Sequence, residues 1–183
     1  MNMQNETVDR YSPVSIWLHW LMLLLLIAVY ACVELHDLFP RGSATRGSLM
    51  TWHFMLGISI LFLVVLRLVA RHIGSIPPIM PAPPKWQMLS ANLLHIVLYA
   101  FMIGMPLAGW LMFSAFGKPV PFFGLELPPL IEVNRPLGAS IRELHETIGK
   151  LGYFLIGLHA VAGLYHHYFV RDNALKRILP WKS

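Results

Sequence analysis

The sequence predicts an all-α integral membrane protein, built as a single bundle of four transmembrane helices. Two observations concern composition: of 183 residues, 56% are hydrophobic and only 13% are charged, with a mean hydropathy of +0.59. A soluble domain of this size carries a charged fraction of about 25%. The third observation is that the apolar residues gather in four runs, each close to the ~20 residues that cross a hydrocarbon core as a helix. A β-barrel would instead show many alternating segments of ~10 residues, a pattern that the sequence does not contain.

The four runs define the predicted helices in chain order. They contain VSIWLHWLMLLLLIAVYACV, TWHFMLGISILFLVVLRLVA, LLHIVLYAFMIGMPLAGWLMF and LGYFLIGLHAVAGLYHHYF, the last extended backwards through SIRELHETIGK. With their flanks, the helices are expected at about 12–35, 48–71, 86–114 and 140–170. The first run is longer than a signal-peptide core and is not followed by a small-x-small cleavage site, so we expect it to be retained. The whole of 1–183 is predicted to be one domain.

The basic residues predict the orientation of the chain. The chain has a net charge of +5, and its Lys and Arg residues are distributed over both sides of the membrane. Because the number of spans is even, both termini lie on one side. The side with the termini carries Arg10, Arg71, Lys85, Arg171, Lys176, Arg177 and Lys182, and the other side carries Arg41, Arg46, Lys118 and Arg135. Because cytoplasmic loops are enriched in Lys and Arg, both termini are predicted to be cytoplasmic.

Histidines inside the predicted helices are the candidate functional residues, because ionisable groups within a membrane are costly and tend to mark functional sites. In the fourth helix, His145 and His159 are 14 residues apart. With a rise of about 1.5 Å and a turn of ~100° per residue, they are separated by roughly 21 Å along the axis and about 40° around it. The two rings therefore share one side of the helix, one near each membrane surface, and each needs a partner at its own depth.

Two histidines on other helices have matching depths. His53, near the start of the second helix, matches His145, and His19, near the start of the first, matches His159. Two stacked bis-histidine sites in a four-helix bundle are typical of two b-type haems, whose iron is held by imidazoles from facing helices. The sequence has one cysteine, Cys32, and no Cys-x-x-Cys-His motif, so such haems would be held non-covalently. Zinc fits less well, because it requires about four ligands at one place whereas these histidines occur in twos.

The spacing leaves the partner of His159 open between His19 and His95, because the third helix, which carries His95, starts on the same side of the membrane as the first. His166 is seven residues beyond His159 and on nearly the same face. A histidine here that is not a ligand is suited to hydrogen-bond a quinone carbonyl and supply its proton. Small residues along the fourth helix leave room for a flat macrocycle, with close helix packing as the alternative explanation. These are Gly149, Gly152, Gly157, Ala160 and Gly163.

The chain resembles the bacterial cytochrome b561 family, and within it the small di-haem members that oxidise superoxide. The resemblance runs almost from end to end, through YSPVSIWLHW, FPR, GISILFLVVLRL, PPIMP and the long, specific block HETIGKLGYFLIGLHAVAGLYHHYFVRDN. It implies a four-helix bundle in the bacterial inner membrane. It also implies the pairing: His19 with His159 at the inner haem, and His53 with His145 at the outer haem.

The resemblance further implies a quinone pocket on the cytoplasmic side. His95 and His166 match positions near that pocket. Arg67 is a candidate for contact with the quinone or with a haem propionate, and an arginine that snorkels to the interface is the alternative.

The implied activity is electron transfer from superoxide outside, through two haems, to ubiquinone in the membrane, without a required protein partner. Superoxide is a small anion, so basic residues near the outer haem would raise its local concentration and association rate. The candidates for this steering are Arg41, Arg46, Lys118, Arg135 and Arg142. Acidic residues in the same regions oppose it, namely Glu34, Asp37, Glu126, Glu132 and Glu143. Lys150, about one turn beyond His145, is an unusual charge within the membrane and a candidate for contact with an outer-haem propionate.

A second function is compatible with the same features: a haem-containing subunit that conducts electrons between a partner dehydrogenase or small redox protein and the quinone pool. Short tails and the lack of a docking domain favour the stand-alone enzyme. The third loop, SAFGKPVPFFGLELPPLIEVNRPLGAS, offers a surface for docking and favours the subunit. A transporter is disfavoured, because the sequence lacks the repeats or interrupted helices expected of one.

Overall fold

The computed structural model describes residues 10–181, which form four long helices. They are α1 (Pro13–His36), α2 (Ala44–Ile73), α3 (Lys85–Ala115) and α4 (Arg135–Tyr165), and α4 continues into one π-helical turn (His166–Val170). All four are long and apolar enough to cross a membrane. The predicted four-helix membrane bundle is therefore confirmed. Lys182, one of the residues used to predict orientation, lies outside the described residues.

Two helices begin earlier than the hydropathy pattern indicated. α2 begins at Ala44 rather than at about 48, and α4 at Arg135 rather than at about 140. In each case a polar side chain caps the first turn: the Ser43 hydroxyl accepts a hydrogen bond from a first-turn N–H at 3.3 Å, and the Asn134 amide oxygen accepts one at 3.1 Å. Such caps stabilise a polar first turn, which an apolar-run criterion does not detect.

The two ends of the bundle differ, and we name them by what they carry. The terminal side holds the first and last described residues, Arg10 and Trp181, and the 74–84 loop. The hairpin side holds the 37–43 loop and an antiparallel hairpin, β1 (Val120–Phe122) and β2 (Leu125–Leu127). Phe123 and Gly124 in its turn have φ of 47° and 86°, as the two central residues of a type I′ hairpin turn require. The Phe123 N–H donates to the Met55 sulfur at 3.4 Å, so the hairpin lies on α2.

The helices pack as an open row rather than a closed square. α1 packs on α2, α2 on α3 and α3 on α4, and a buried cluster of Met22, Ile60 and Val64 joins α1 to α2. In the described part of the chain, no Cα atom of α4 comes within 8 Å of α1 or α2. Long side chains cross the remaining space between α4 and these two helices, and the candidate site lies there.

The segment that follows the π-helical turn folds back against the terminal side. The Trp20 indole N–H of α1 donates to the Ile178 carbonyl at 2.8 Å, and the Tyr11 N–H donates to the Arg177 carbonyl at 3.2 Å. Asn173 binds the 74–84 loop, accepting from the Met80 N–H at 2.8 Å. The segment is thus anchored to both α1 and the loop between α2 and α3.

Candidate functional site

A histidine pair lies between α2 and α4 towards the hairpin side. The ring centroids of His53 and His145 are 6.3 Å apart, with an angle of 77° between the ring planes. The Nδ1 atom of His53 is 3.3 Å from the Val29 carbonyl oxygen of α1. This contact leaves the Nε2 atom of His53 as the ring nitrogen available for a ligand.

A second group of histidines lies towards the terminal side. The centroids of His19 and His159 are 6.2 Å apart with an interplanar angle of 80°, and those of His95 and His159 are 5.4 Å apart. The structure therefore brings together both predicted pairs and also places His95 against the same ring. Proximity alone does not choose between His19 and His95, so the distances must be compared with what a metal requires.

The separations of the predicted pairs fit two imidazoles on opposite sides of one iron. A metal–imidazole bond of about 2 Å, with the ring centre a little over 1 Å behind the nitrogen, places two trans rings about 6 Å apart. The values of 6.3 Å for His53 with His145 and 6.2 Å for His19 with His159 match this spacing. The 5.4 Å between His95 and His159 is too short for it. In the described part of the chain, no group of three or more His, Cys, Asp or Glu side chains is placed to hold a metal ion.

The space beside these pairs suits a flat macrocycle. α4 stands apart from α1 and α2, and a Cβ atom built on Gly57 of α2 would meet no described atom within 4 Å. Gly57 is four residues from His53 and therefore on the same face of α2. The residues present thus fit two b-type haems, each between a histidine of α4 and one of α1 or α2.

One of the small residues expected to leave room has a different role. A Cβ atom on Gly152 would overlap the Tyr30 hydroxyl of α1 and the Phe101 ring of α3. Gly152 lies midway along α4 between His145 and His159, so these two aromatic side chains close on the helix between the two histidine pairs. We refer to Tyr30 and Phe101 as the aromatic partition.

A hydrogen-bonded group of polar side chains extends this partition towards the hairpin side. The Tyr30 hydroxyl donates to the Gly149 carbonyl at 2.7 Å, and the Tyr30 and Tyr153 rings lie 4.2 Å apart. The Tyr153 hydroxyl in turn donates to the Glu34 carboxylate at 2.6 Å. α1 and α4 are therefore linked by side chains where their backbones do not meet.

Arg67 faces the terminal-side histidines. It lines a cavity of about 80 Å³ together with His19, His95 and His159. Its Nε–H donates to the Tyr99 hydroxyl at 3.3 Å, and one of its terminal nitrogens is buried with no hydrogen-bond partner among residues 10–181. A buried guanidinium nitrogen is costly unless it is paired, and the residues lining this cavity include no carboxylate. The cavity is therefore complementary to an anionic or carbonyl oxygen.

His166 is held by a residue that the sequence did not single out. Its Nδ1 atom is 2.5 Å from a carboxylate oxygen of Asp172, whose side chain has no exposed surface. The other Asp172 oxygen accepts from the Ala174 N–H at 2.8 Å. The sequence offered only a weak signal, an aspartate just beyond the fourth apolar run.

Arg177 is buried beside this group. It donates to the Pro77 carbonyl, and its guanidinium lies 5.5 Å from the centre of the Tyr11 ring. Burial lowers the pKa of Arg177, the nearby Tyr11 and Asp172 act in the opposite direction, and Arg71 lowers it further. Arg177 thus provides a positive charge close to the buried Asp172 carboxylate.

The five cations proposed to steer superoxide separate into two groups. Arg46 binds the Asp37 carboxylate at 3.0 Å and the carbonyls of His36 and Phe39, and Arg142 binds Glu146 at 2.8 Å. Lys118 lies 5.9 Å from the Phe113 ring centre. Among residues 10–181, Arg41, Lys118 and Arg135 have no carboxylate within 4 Å. Any steering field therefore depends on these three, because Arg46 and Arg142 are neutralised locally.

Lys150 lies on an exposed face of α4, between the levels of the two histidine pairs. No ion pair joins it to the other described residues. Its contact with a haem propionate stays a prediction.

Comparisons with known proteins identify the family. Residues 10–181 match the family described as prokaryotic cytochrome b561. The chain is 40% identical to "Cytochrome b561 homolog 1" of Escherichia coli (strain K12), covering 94% of this chain and 98% of the relative. It is 35% identical to "Probable superoxide oxidase CybB" of Yersinia pestis, covering 94% and 97%, and 25% identical to "Cytochrome b561 homolog 2" of E. coli, covering 97% and 95%. The chain therefore belongs to the prokaryotic cytochrome b561 family of multi-pass membrane proteins, for which b-type haem is the implied cofactor.

Proposed function

We propose that this protein is a di-haem membrane oxidoreductase that oxidises superoxide at its hairpin side and reduces ubiquinone at its terminal side. The observation that supports it most directly is the presence of two histidine pairs at two depths, with centroid separations of 6.3 and 6.2 Å. His53 with His145 would hold the outer haem, and His19 with His159 the inner one. When bound, the two haems supply one-electron redox chemistry in a low-dielectric environment.

Superoxide as the electron donor is supported by similarity and by charge. The Yersinia pestis relative named as a probable superoxide oxidase is similar over almost the whole chain. On the hairpin side, Arg41, Lys118 and Arg135 lack a carboxylate partner among the described residues, so they are available to attract a small anion. With both termini in the cytoplasm, this side faces out of the cell.

Ubiquinone reduction is assigned to the terminal side because that side offers both a cation and proton donors. Arg67 and Tyr99 are suited to bind a quinone carbonyl oxygen, and His95 lies in the same cavity. Two superoxide anions lose one electron each and leave as two molecules of dioxygen. One ubiquinone takes up these two electrons together with two protons from the cytoplasm and becomes ubiquinol, so charge and atoms balance.

The test is stopped-flow reduction of the purified, oxidised protein by a pulse of superoxide, following the haem α-band, with ubiquinone added in a parallel series. We expect a rate constant on the order of 10⁸ M⁻¹ s⁻¹ that falls steeply as salt is added, and reoxidation when ubiquinone is present. Slow reduction that is insensitive to salt would exclude superoxide as the substrate. Reoxidation by ubiquinone in that case would identify the protein as an electron-transfer subunit supplied by another redox protein.

A further inference from the structure

The contact between Asp172 and His166 is a short, buried polar contact on the terminal side that the proposed function does not use. The Asp172 side chain has no exposed surface, and one of its oxygens is 2.5 Å from His166 Nδ1. Burying a carboxylate is costly unless it is hydrogen-bonded and paired with charge. Here one oxygen is bound by an imidazole and the other by the Ala174 N–H, so the local structure is organised around this carboxylate.

The backbone after α4 brings Asp172 to the imidazole. His166 begins the π-helical turn, and Arg171, which ends it, adopts a left-handed conformation with φ of 58°. This reversal directs the Asp172 N–H back to the His166 carbonyl at 3.3 Å. A left-handed arginine is uncommon, and a π-helical turn often marks a functional position.

The position of His166 relates this pair to the inner histidines. His166 is seven residues beyond His159, which is about 10 Å along the axis and roughly 20° around it. It therefore lies on the same face of α4 as His159, towards the cytoplasm, with 21% of its side chain exposed. Since Nδ1 is engaged by Asp172, Nε2 is the ring nitrogen left to contact another molecule.

We propose that Asp172 is a positioning residue that orients His166 through its Nδ1 atom, so that His166 Nε2 delivers a proton to the ubiquinone being reduced. This inference rests on the proposed quinone reduction. In each delivery, the Nε2–H bond breaks, an O–H bond forms on the quinone, and the imidazole becomes neutral while Nδ1–H stays bound to Asp172. His166 then regains a proton from the cytoplasm before the second delivery, which completes the two protons of ubiquinol.

The charged and titratable groups around the pair come from several elements. Arg177 lies near Asp172 in the same segment. Tyr11, which precedes α1, and Arg71, in the last turn of α2, lie near Arg177. Arg177 is thus the cation that accompanies the buried carboxylate. A pH profile of the reaction must be compared with control variants that leave these groups in place.

A purely structural role for Asp172 makes a different prediction, and Asn173 provides the matched control. Asn173 anchors the same segment to Met80 and Pro78 but does not contact His166. If Asp172 only anchors the segment, Asp172→Asn and Asn173→Ala should have similar effects. If Asp172 acts through His166, Asp172→Asn should impair the same half-reaction as His166→Gln, to a smaller extent. Asn173→Ala and His167→Gln should then behave like wild type.

The experiment measures two half-reactions of the holoprotein in detergent, haem reduction by superoxide and haem reoxidation by ubiquinone. Both are followed from about pH 5.5 to about pH 8.5, a range that includes the ordinary pKa of an imidazole. We expect superoxide to reduce every variant at the wild-type rate. We expect reoxidation at saturating ubiquinone to slow roughly 100-fold in His166→Gln and about tenfold in Asp172→Asn, with little change in the ubiquinone concentration for half-maximal rate. The pH dependence of the reoxidation rate should be flattened in His166→Gln and Asp172→Asn and retained in Asn173→Ala.

Two results would overturn the inference while leaving quinone reduction intact. One is reoxidation of Asp172→Asn that matches wild type in rate and pH profile, and the other is an equal loss in Asn173→Ala. If Asp172→Asn fails to fold, reoxidation of His166→Gln at the wild-type rate still overturns the inference, since it removes the group through which Asp172 is proposed to act. Wild-type protein that ubiquinone does not reoxidise would instead overturn the proposed function itself, and this inference with it.

Discussion

The Tyr30 hydroxyl of α1 donates a 2.7 Å hydrogen bond to the Gly149 carbonyl of α4, and it does so across a gap where the two helix backbones do not meet. Gly152, one turn further along α4, provides the room that the Tyr30 side chain needs. The aromatic partition of Tyr30 and Phe101 therefore separates the two histidine pairs and links helices that are otherwise apart. Substitutions on either side of this contact should be energetically coupled.

Replacing Gly152 by alanine places a methyl group where the Tyr30 hydroxyl and the Phe101 ring lie. We expect Gly152→Ala to displace Tyr30 and to lower the free energy of unfolding by about 1–3 kcal/mol, as overpacking in a filled interior does. Thermal unfolding of the purified protein, followed by haem absorbance, measures the loss. The matched control is Gly104→Ala in α3, because a Cβ atom there meets nothing within 4 Å. Equal melting temperatures for the two variants would contradict the prediction.

The same contact predicts a rescue. Tyr30→Phe removes the hydroxyl and its hydrogen bond to Gly149 and should cost about 1 kcal/mol by itself. In the Gly152→Ala background it also removes part of the overlap. We expect the double variant to be more stable than the sum of the single losses by at least about 0.5 kcal/mol, the size typical of residues in contact. Strict additivity would show that the two residues do not share one packing contact.

Haem content distinguishes the proposed ligands from the histidine beside them. His53→Ala and His19→Ala should each lower the haem-to-protein ratio from two to one, since each removes one axial imidazole of a different pair. His95→Ala should keep both haems, because its 5.4 Å centroid distance to His159 is too short for a shared iron. The pyridine haemochrome assay on purified protein measures the ratio. Loss of a haem in His95→Ala with retention in His19→Ala would reverse the assignment.

Arg67 should act on the terminal-side site and leave the hairpin side unaffected. Replacing it by glutamine removes a positive charge from the cavity that contains His19 and His159. Because a nearby cation favours the reduced, more negative state of a redox centre, we expect the reduction potential of the inner haem to fall and that of the outer haem to stay unchanged. Spectroscopic redox titration measures both. Arg71→Gln is the control, since Arg71 lies further towards the end of α2 and does not line this cavity.

Charge reversal on the hairpin side should distinguish the cations that attract superoxide from those that stabilise the fold. A triple variant with Arg41, Lys118 and Arg135 replaced by glutamate should slow superoxide reduction of the haems about tenfold at low salt, with a smaller difference at high salt. Arg46→Gln should instead lower thermal stability, because Arg46 binds Asp37 and the carbonyls of His36 and Phe39. Stopped-flow rates at two ionic strengths measure the first effect. A triple variant as fast as wild type at low salt would exclude steering by these residues.

Most of the architecture and the depth of the histidines follow from the sequence. Four apolar runs of membrane-spanning length determine four helices, and the 14-residue interval between His145 and His159 places their rings on one face at two depths. The length of a helix and the depth and face of a side chain on it depend on distance along a single helix, which sequence spacing measures directly. For the same reason, depth pairs His53 with His145 but leaves His159 with either His19 or His95. The structure places the ring centroids of His53 and His145 6.3 Å apart and those of His19 and His159 6.2 Å apart.

Only the tertiary structure decided which side chains from different elements share a space. Spacing treated Gly152 as room for a macrocycle, whereas Tyr30 and Phe101 occupy that space. It counted Arg46 as a free cation, whereas the 37–43 loop brings Asp37 to it. It overlooked Asp172, which reaches His166 because the π-helical turn and left-handed Arg171 reverse the chain. Hydropathy and helical periodicity determine depth and face along one helix. The neighbour across the gap depends on how helices pack and loops turn, which are properties of the whole chain.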